Sequence, residues 1–520
     1  MQPRDAAVGH AIPRHTASRH STTALTLLVL VAASAVLRLL FLVRKPFWFD
    51  EAFSVEVARI DWENFLHLLW WREANMSLYY VLLRIWLHFG QSEYFIRCLS
   101  VVAAVATVPA IYWLGNLLYD RRVGMIAAAL LTFNAYHIRY AQEARSYALF
   151  VLLATLSSAS LIASLRQPSR GNRVGYVLAS VLAAYAHFYA LLLVGTHWLA
   201  LRALRGGQSQ SGSHSALQLS KMRRAWITIG IAVLPLLIFV AKTGAGPIRW
   251  IQRPGLRDLL EFFEHLAGSN SWFLAAVYVI GCIAAIAPLG NRLLKTGQDR
   301  GVWRVQFLLI WLLFPVALTA LLSFARPVFL ARYLIFCLPA FVILTSAGLA
   351  RIRNFWLLSA VLAGTLALAG QGVLFVYAHD FDNERDGCGA ATDFILDHAE
   401  PGDAVLFHIA ETRVPYEFFR SVRAGENTAS PDFKAQLGPE IIFPHHAEGL
   451  DYRDFTGKPA ADFLRSVPPH YTRVWVVFMN NGPASNPDPT TLLLSQILGQ
   501  SFPQMQCWEF VKVQVRLYSR

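Results

Sequence analysis

Long, nearly uninterrupted apolar runs fill most of the chain up to about residue 377, and polar residues are confined to the gaps between them. A helix needs roughly 17–25 apolar residues to cross a bilayer core. Such runs lie near 23–43, 95–118, 123–135, 145–165, 174–187, 189–204, 225–242, 272–289, 305–323, 329–350 and 354–377. They predict eleven membrane spans, of which the third and fifth are short. A soluble helical enzyme would instead show amphipathic stripes at a 3.6-residue period. The first run reads as an uncleaved anchor. Ala33-Ser34-Ala35 resembles a signal-peptidase site, but the apolar run continues for two more turns. No internal repeat is visible.

After residue 377 the pattern changes. "GCGAATDFILDHAEPGDAVLFHI" reads as a helix, a Pro-Gly-Asp turn and a buried strand. "YTRVWVVFMN" reads as a second strand and "TTLLLSQILGQ" as a helix opened by Thr. "CWEFVKVQVRLYSR" alternates apolar and polar residues, as an edge strand does. Strands alternating with helices predict a small α/β domain over 378–520. It contains neither GxGxxG nor a P-loop, so no nucleotide site is expected there.

Composition agrees. Of the residues 55% are hydrophobic and 15% charged, against about 25% charged in soluble proteins. The net charge of +13 does not point to nucleic acid, because the basic residues sit in short loops. Loops assigned to the cytoplasm carry 19 Lys and Arg, and the longer loops opposite carry 12. The positive-inside rule then places the N-terminal tail, 1–22, in the cytoplasm. Eleven spans over 23–377 put the first outer loop, 44–93, and the C-terminal α/β domain outside a cell (inner) membrane, in the periplasm or its equivalent. Residues 205–221 read as a flexible cytoplasmic linker. Of the five cysteines, Cys98, Cys282 and Cys337 fall in or beside spans as apolar filler. Cys388 and Cys507 fall outside, where an oxidising compartment permits a bridge between them.

The candidate chemistry gathers on the outer face. "RKPFWFDEAFSVEVARIDW" leaves the first span with three interface-seeking rings and then two adjacent acids, Asp50 and Glu51. Adjacent helical residues point about 100° apart. One acid therefore faces a cavity and the other faces solvent or a structural partner; Asp50 alternatively caps the helix. "NAYHIRYAQEARSY" concentrates His137, Arg139, Gln142, Glu143 and Arg145 at the next outer boundary. Arg139 and Glu143 either pair at i,i+4 or line a wet cavity with their neighbours. Arg332 and Tyr333 begin the tenth span, and Arg97 opens the second. Guanidinium groups there either snorkel to headgroups or grip a phosphate. Arg38, inside the first span, either snorkels or lines a cavity. His187 sits at the outer turn of spans five and six, as a structural or a pocket residue. Acids beside arginines at headgroup depth suit a transferase with a lipid-linked phosphate donor. A carboxylate, ionised at neutral pH, takes a proton from the acceptor.

The motifs "WFDEAFS" (48–54), "NMSLYYVLLRIW" (75–86), "YFIRCLSVVAAVATVPAIYWLG" (94–115), "YHIRYAQEARSYAL" (136–149), "AHFYALLL" (186–193) and "ARYLIFCLPAF" (331–341) together resemble the GT-C superfamily of polytopic glycosyltransferases. The likeness is to the bacterial branch grouped with protein mannosyltransferases, the lipid A aminoarabinose transferase and the RgtA/B/C/D-like enzymes. It covers about residues 25–350. One departure is Met76-Ser77, where the branch often has a Pro pair. The resemblance implies a GT-C fold and an inverting transfer from a polyprenyl-phosphate sugar to an extracytoplasmic lipid, glycan or protein acceptor. It implies Asp50 as general base, Glu51 in support and Glu143 as a second acidic position. Arg145, Arg332, Tyr333 and Arg97 are the donor-phosphate candidates; His137, Gln142 and His187 are the substrate-pocket candidates. No cofactor is indicated with certainty. No tight ligand cluster appears, and the resemblance leaves a divalent metal open. The alternatives are a lipid-linked sugar transporter or exporter, which would show repeats and broken midplane helices, and a binding protein that keeps the scaffold without activity. Sugar, acceptor and oligomeric state are not legible.

Overall fold

The computed structural model describes the chain except residues 1–13, 72, 206–212, 244–250, 269–270, 293–299, 380–386, 426–437, 445–457 and 480–487. Helices occur at all eleven expected positions: α1 (Arg14–Leu39), α5 (Glu93–Leu118), α6 (Arg121–Thr132), α8 (Tyr147–Arg166), α9 (Arg170–Ala186), α10 (Ala190–Arg205), α11 (Ser213–Thr243), α13 (Trp272–Ile286), α14 (Arg300–Ala325), α15 (Leu338–Leu349) and α16 (Phe355–Ala378). Between them lie α2 (Phe49–Arg59), α3 (Trp62–Trp71), α4 (Ser77–Trp86), α7 (Ala135–Ala141) and α12 (Leu256–Ala267). Among the described residues eight helices are long and apolar enough to cross a membrane; α6, α9 and α10 are shorter. At 1.5 Å per residue α6 extends only about 18 Å, well short of the hydrocarbon core. The expected linker is partly corrected. Its residues 206–212 lie outside the described residues, but from Ser213 the chain is already α11, because Ala216, Leu217 and Leu219 continue the helix of the following span.

Caps fix the helix starts. Ser92, Asp120, Asn134, Ser169, Ser271 and Asn354 each accept a backbone N–H from the first turn they open. Asn134 also donates from Nδ2 to the Leu266 and Ala267 carbonyls, so the start of α7 is tied to the end of α12. Within the bundle, packing is by small and hydroxylated residues, as expected where lipid supplies no hydrophobic drive. Ser157 meets Ser180 at 2.7 Å and Ser158 meets the His197 ring at 3.0 Å, joining α8 to α9 and α10. α13 crosses α15 so closely that a Cβ on Gly348 would sit 1.8 Å from the Gly281 carbonyl oxygen. α8 and the segment ending in α15 are the most enclosed spans, while α1 is largely exposed on the bundle's flank.

The last part of the chain folds around one sheet: β1 (Ala404–Phe407), β2 (Glu440–Phe443), β3 (Arg473–Met479), β4 (Gln504–Phe510) and β5 (Val513–Ser519), in the order β2-β1-β3-β5-β4. The first three strands are parallel and β5 and β4 are antiparallel. Its helices are α17 (Cys388–His398), α18 (Arg413–Arg423), α19 (Ala461–Ser466) and α20 (Pro489–Ser501). Three expectations are corrected here. "CWEFVKVQVRLYSR" is not one strand but parts of two, folded into a hairpin at Val511-Lys512 with Lys512 at φ 58°. α20 is opened not by Thr but by Asp488, whose carboxylate accepts the Thr490 and Thr491 N–H groups. Cys388 and Cys507 are separate free thiols. Cys388 is buried at the head of α17, whereas Cys507 is exposed on the edge strand β4.

This sheet layer stands on the first outer loop. Phe418 of α18 stacks on Phe47 with centroids 5.1 Å apart. Val414 and Phe418 share a core with Ala52, Val55 and Phe65, and Arg59 Nη1 donates to Ser421 Oγ at 3.3 Å. Helix α2 is thus covered by the sheet layer.

The Gly348–Gly281 crossing predicts that Gly348→Ala lowers the detergent-solubilised melting temperature, by overpacking worth about 1–3 kcal/mol. Gly364→Ala in α16, which meets no atom within 4 Å, should be near neutral. Equal thermal stability of the two variants would contradict the crossing.

Candidate functional site

The exit of the first span is held by one arginine. Arg97, in the second turn of α5, is 0% exposed. Its Nε and Nη2 bind the two oxygens of Glu51 at 2.8 and 2.7 Å. Nη1 donates to the carbonyls of Leu42 and Lys45 at 2.7 and 2.9 Å, and Nη2 also donates to Pro46 at 3.2 Å. All five guanidinium donors are engaged. Glu51, also 0% exposed, additionally accepts the Ala144 N–H at 2.8 Å. The pair therefore joins four things: the exit of α1, the first turn of α2, the start of α5 and the loop before α8. A buried charge pair is tolerated only when geometry and extra hydrogen bonds are this complete.

With Glu51 turned inward, Asp50 turns toward Arg145. Its side chain retains 22% exposure. Trp48, not Asp50, is the N-cap residue of α2, so Asp50 is not the cap. Its Oδ2 lies 3.6 Å from Arg145 Nη2. Arg145 Nη1 donates to the Asp50 carbonyl and to Ser54 Oγ, each at 3.3 Å. Ser100 Oγ in turn donates to the Arg145 carbonyl at 3.1 Å and meets the Tyr79 hydroxyl at 3.0 Å. Burial opposes the charge of Arg145, but Asp50, Tyr80, Tyr147 and Glu73 together outweigh it and the guanidinium pKa is raised. Arg332 lies within electrostatic reach of Asp50 and Tyr147, its guanidinium carbon 5.9 Å from both the Trp48 and Tyr333 ring centroids. His187 is 1% exposed. It stacks on Phe150 at 5.1 Å and sits 4.8 Å from the Tyr333 ring.

Two acids near Asp50 have no counterpart in the sequence reading. Glu73, just after α3, accepts from the Tyr80 hydroxyl at 3.5 Å. Burial, reinforced by the charge of Asp50, pushes its pKa up to about 7, against the pull of Arg145 and Tyr80. Glu411, in the 3-10 turn Ala410–Thr412 of the sheet layer, is raised by burial and then by Asp50. The sheet layer thus brings a carboxyl group within electrostatic reach of Asp50. A composition signal for Glu73 exists: it is the one acid between the aromatic run of α3 and "LYY". Nothing local marks Glu411.

Asp50, Arg145, Arg332, Tyr333 and His187 are brought together. Five other candidates are not. Arg97 has no donor left for a phosphate, and Glu51 is locked against it; both build the frame. His137 is 0% exposed. Its Nδ1 is 2.8 Å from Arg38 Nη2, and burial plus that charge press its pKa far down. It accepts from Arg38 inside the bundle and is not among the groups beside Asp50. Gln142 Nε2 donates to the Arg38 and Leu40 carbonyls at 3.1 and 2.8 Å, pinning the end of α1. Glu143 is 4% exposed and acts electrostatically on Arg97 and Tyr79, on the frame side of the loop. α7 ends at Ala141, so Arg139 and Glu143 do not share a helix face. Among the described residues no group of three His, Cys, Asp or Glu is placed to hold a metal ion.

No family model matches the chain, and no curated protein matches it. Solved structures do. ArnT from Cupriavidus metallidurans in the apo state is 12% identical, covering 94% of this chain and 97% of that one, with a TM-score of 0.58. ArnT from Cupriavidus metallidurans bound to undecaprenyl phosphate is 13% identical over the same shares, with a TM-score of 0.55. The oligosaccharyltransferase of Archaeoglobus fulgidus in complex with Zn and sulfate aligns at 12% identity, over 87% of this chain and 67% of that one, with a TM-score of 0.48. The chain has the GT-C fold of a multi-pass membrane protein.

Two outcomes follow from the site. Glu51→Gln leaves Arg97 buried and half-paired, which costs roughly 3–5 kcal/mol; monodisperse protein should be largely lost in size-exclusion chromatography, and normal recovery would contradict the frame. For Glu73 the folded pKa, about 7, lies above the ordinary 4.5. Its contribution to stability is therefore full below about 4.5 and is lost as pH rises through about 7. Glu73→Gln should gain in melting temperature relative to the parent protein from about pH 4.5 to 7 and level off above that; a difference constant with pH would contradict the assignment.

Proposed function

We propose that this protein is a membrane glycosyltransferase that moves a sugar from a polyprenyl-phosphate donor to an extracytoplasmic acceptor. The observation that carries the reading is the meeting of one partly exposed carboxylate, Asp50, with two guanidinium groups, Arg145 and Arg332, beneath a layer of folded chain. That is the complement a displacement at an anomeric carbon needs. Asp50 takes the proton from an acceptor hydroxyl or amine as its oxygen or nitrogen attacks the anomeric carbon. The bond from that carbon to the phosphate oxygen breaks, and polyprenyl phosphate leaves as an anion held by the two arginines, with inversion at the carbon. Tyr333 and His187 complete the aromatic wall on the phosphate side. The undecaprenyl phosphate carried by the ArnT structure of the same fold supports this class of donor.

The N-terminus then faces the cytoplasm of a cell (inner) membrane and the sheet layer faces outward. The excess of Lys and Arg in the loops opposite the site supports this orientation. The apolar flanks leave the donor a route from the bilayer, so no phosphate-cradling loop is required.

Mass spectrometry of glycolipids and envelope glycans from a deletion strain would identify the donor and acceptor for a transfer assay. In that assay Asp50→Asn should fold normally and lose at least about a hundredfold in turnover, the usual scale for a general base. Full activity would remove the assignment. Arg332→Ala should raise the KM for donor more than that for acceptor; the reverse would move Arg332 to the acceptor side.

A further inference from the structure

His187 is the C-cap residue of α9, with extended backbone. Its Nδ1 accepts the Tyr189 N–H at 3.3 Å, which leaves the ring neutral with its proton on Nε2. That Nε2 is buried and has no hydrogen-bond partner. The ring is held in place by Phe150, stacked at 8°, and by Tyr147, Tyr189 and Tyr333. A buried N–H donor without an acceptor is costly. It persists here in an aromatic box reached by the positive charges of both Arg145 and Arg332. What would satisfy it is an anionic oxygen brought in between those cations.

We infer that His187 donates a hydrogen bond from Nε2 to a phosphate oxygen of the lipid-linked donor, as a third fixed contact beside Arg145 and Arg332. This rests on the transferase reading above and adds to it a neutral, directional donor. Two point charges attract a phosphate but leave its rotation loose. A rigid N–H held by Tyr189 and Phe150 fixes which oxygen faces the sugar. The phosphate thereby leaves along one line, opposite the Asp50 side.

Two substitutions separate this from a merely structural role. His187→Asn keeps an acceptor where Nδ1 meets the Tyr189 N–H but removes the distal donor. His187→Gln does the opposite, reaching the Nε2 position with an amide N–H. Full-length protein in nanodiscs would be titrated with undecaprenyl phosphate and, in parallel, with inorganic phosphate. The parent protein should bind the lipid, His187→Asn should bind it about tenfold or more weakly, and His187→Gln should stay within about threefold. Lipid binding by His187→Asn equal to the parent overturns the inference, as does loss in His187→Gln with retention in His187→Asn, or equal loss in both. A variant effect seen with inorganic phosphate and not with the lipid also overturns it. Failure of the parent protein to bind the lipid at all removes the transferase reading itself, and this inference with it.

Discussion

The arrangement on which the site depends is the buried Glu51–Arg97 pair. Two opposite charges with no solvent contact are a poor source of stability by themselves, because desolvation offsets most of their attraction. Their effect here is positional. Arg97 engages three backbone carbonyls at the exit of α1 and both oxygens of Glu51. Glu51 holds the Ala144 N–H. One ion pair thereby fixes the angle at which the chain leaves the membrane, the rotation of α2 about its axis and the height of the loop carrying Arg145. Asp50 has no freedom left: on the same first turn, about 100° away, it faces Arg145. Both acids also sit where the α2 dipole favours negative charge.

The charge balance of the cavity follows from that frame. Arg145 lies within electrostatic reach of Asp50 and Glu73, Arg332 of Asp50, and Glu411 of Asp50. A site built only of arginines would hold a phosphate anion too firmly to let it go. Carboxyl groups around the cations limit that attraction, and Glu73, with its pKa raised to about 7, changes charge in the range where the reaction would run. The sheet layer supplies Glu411 and covers α2 through Phe418 and Val414. The C-terminal section therefore belongs to the site.

Much of this was legible in the sequence, for physical reasons that can be named. Apolar run length located every span-sized helix, and the shortness of the third run showed before α6 was seen. The 100° rule separated Asp50 from Glu51 without coordinates. Arg97 was misplaced because its sequence position, at the outer start of a span, is indistinguishable from that of Arg332. What separates them is a set of carbonyls at Leu42, Lys45 and Pro46, whose need for donors is a tertiary fact. His137 and Gln142 were misplaced for the same reason, both being drawn inward by the end of α1. Glu411 reaches Asp50 from the other end of the chain, which no local pattern records. The β4–β5 hairpin was hidden because its turn, Val511-Lys512, lacks the Gly or Asn that usually marks one, so the alternation ran on through it.

The central claim is that this frame makes one phosphate-holding cavity bounded by residue 50, residue 145 and residue 332. The most direct measurement is a cryo-EM structure of the full chain in nanodiscs with undecaprenyl phosphate. The account predicts the phosphate within hydrogen-bonding distance of the Arg145 and Arg332 guanidinium groups, with the Asp50 carboxylate across the cavity and Arg97 still bound to Glu51. A phosphate held at Arg97, or anywhere that leaves Arg145 and Arg332 without contact to it, would contradict the account.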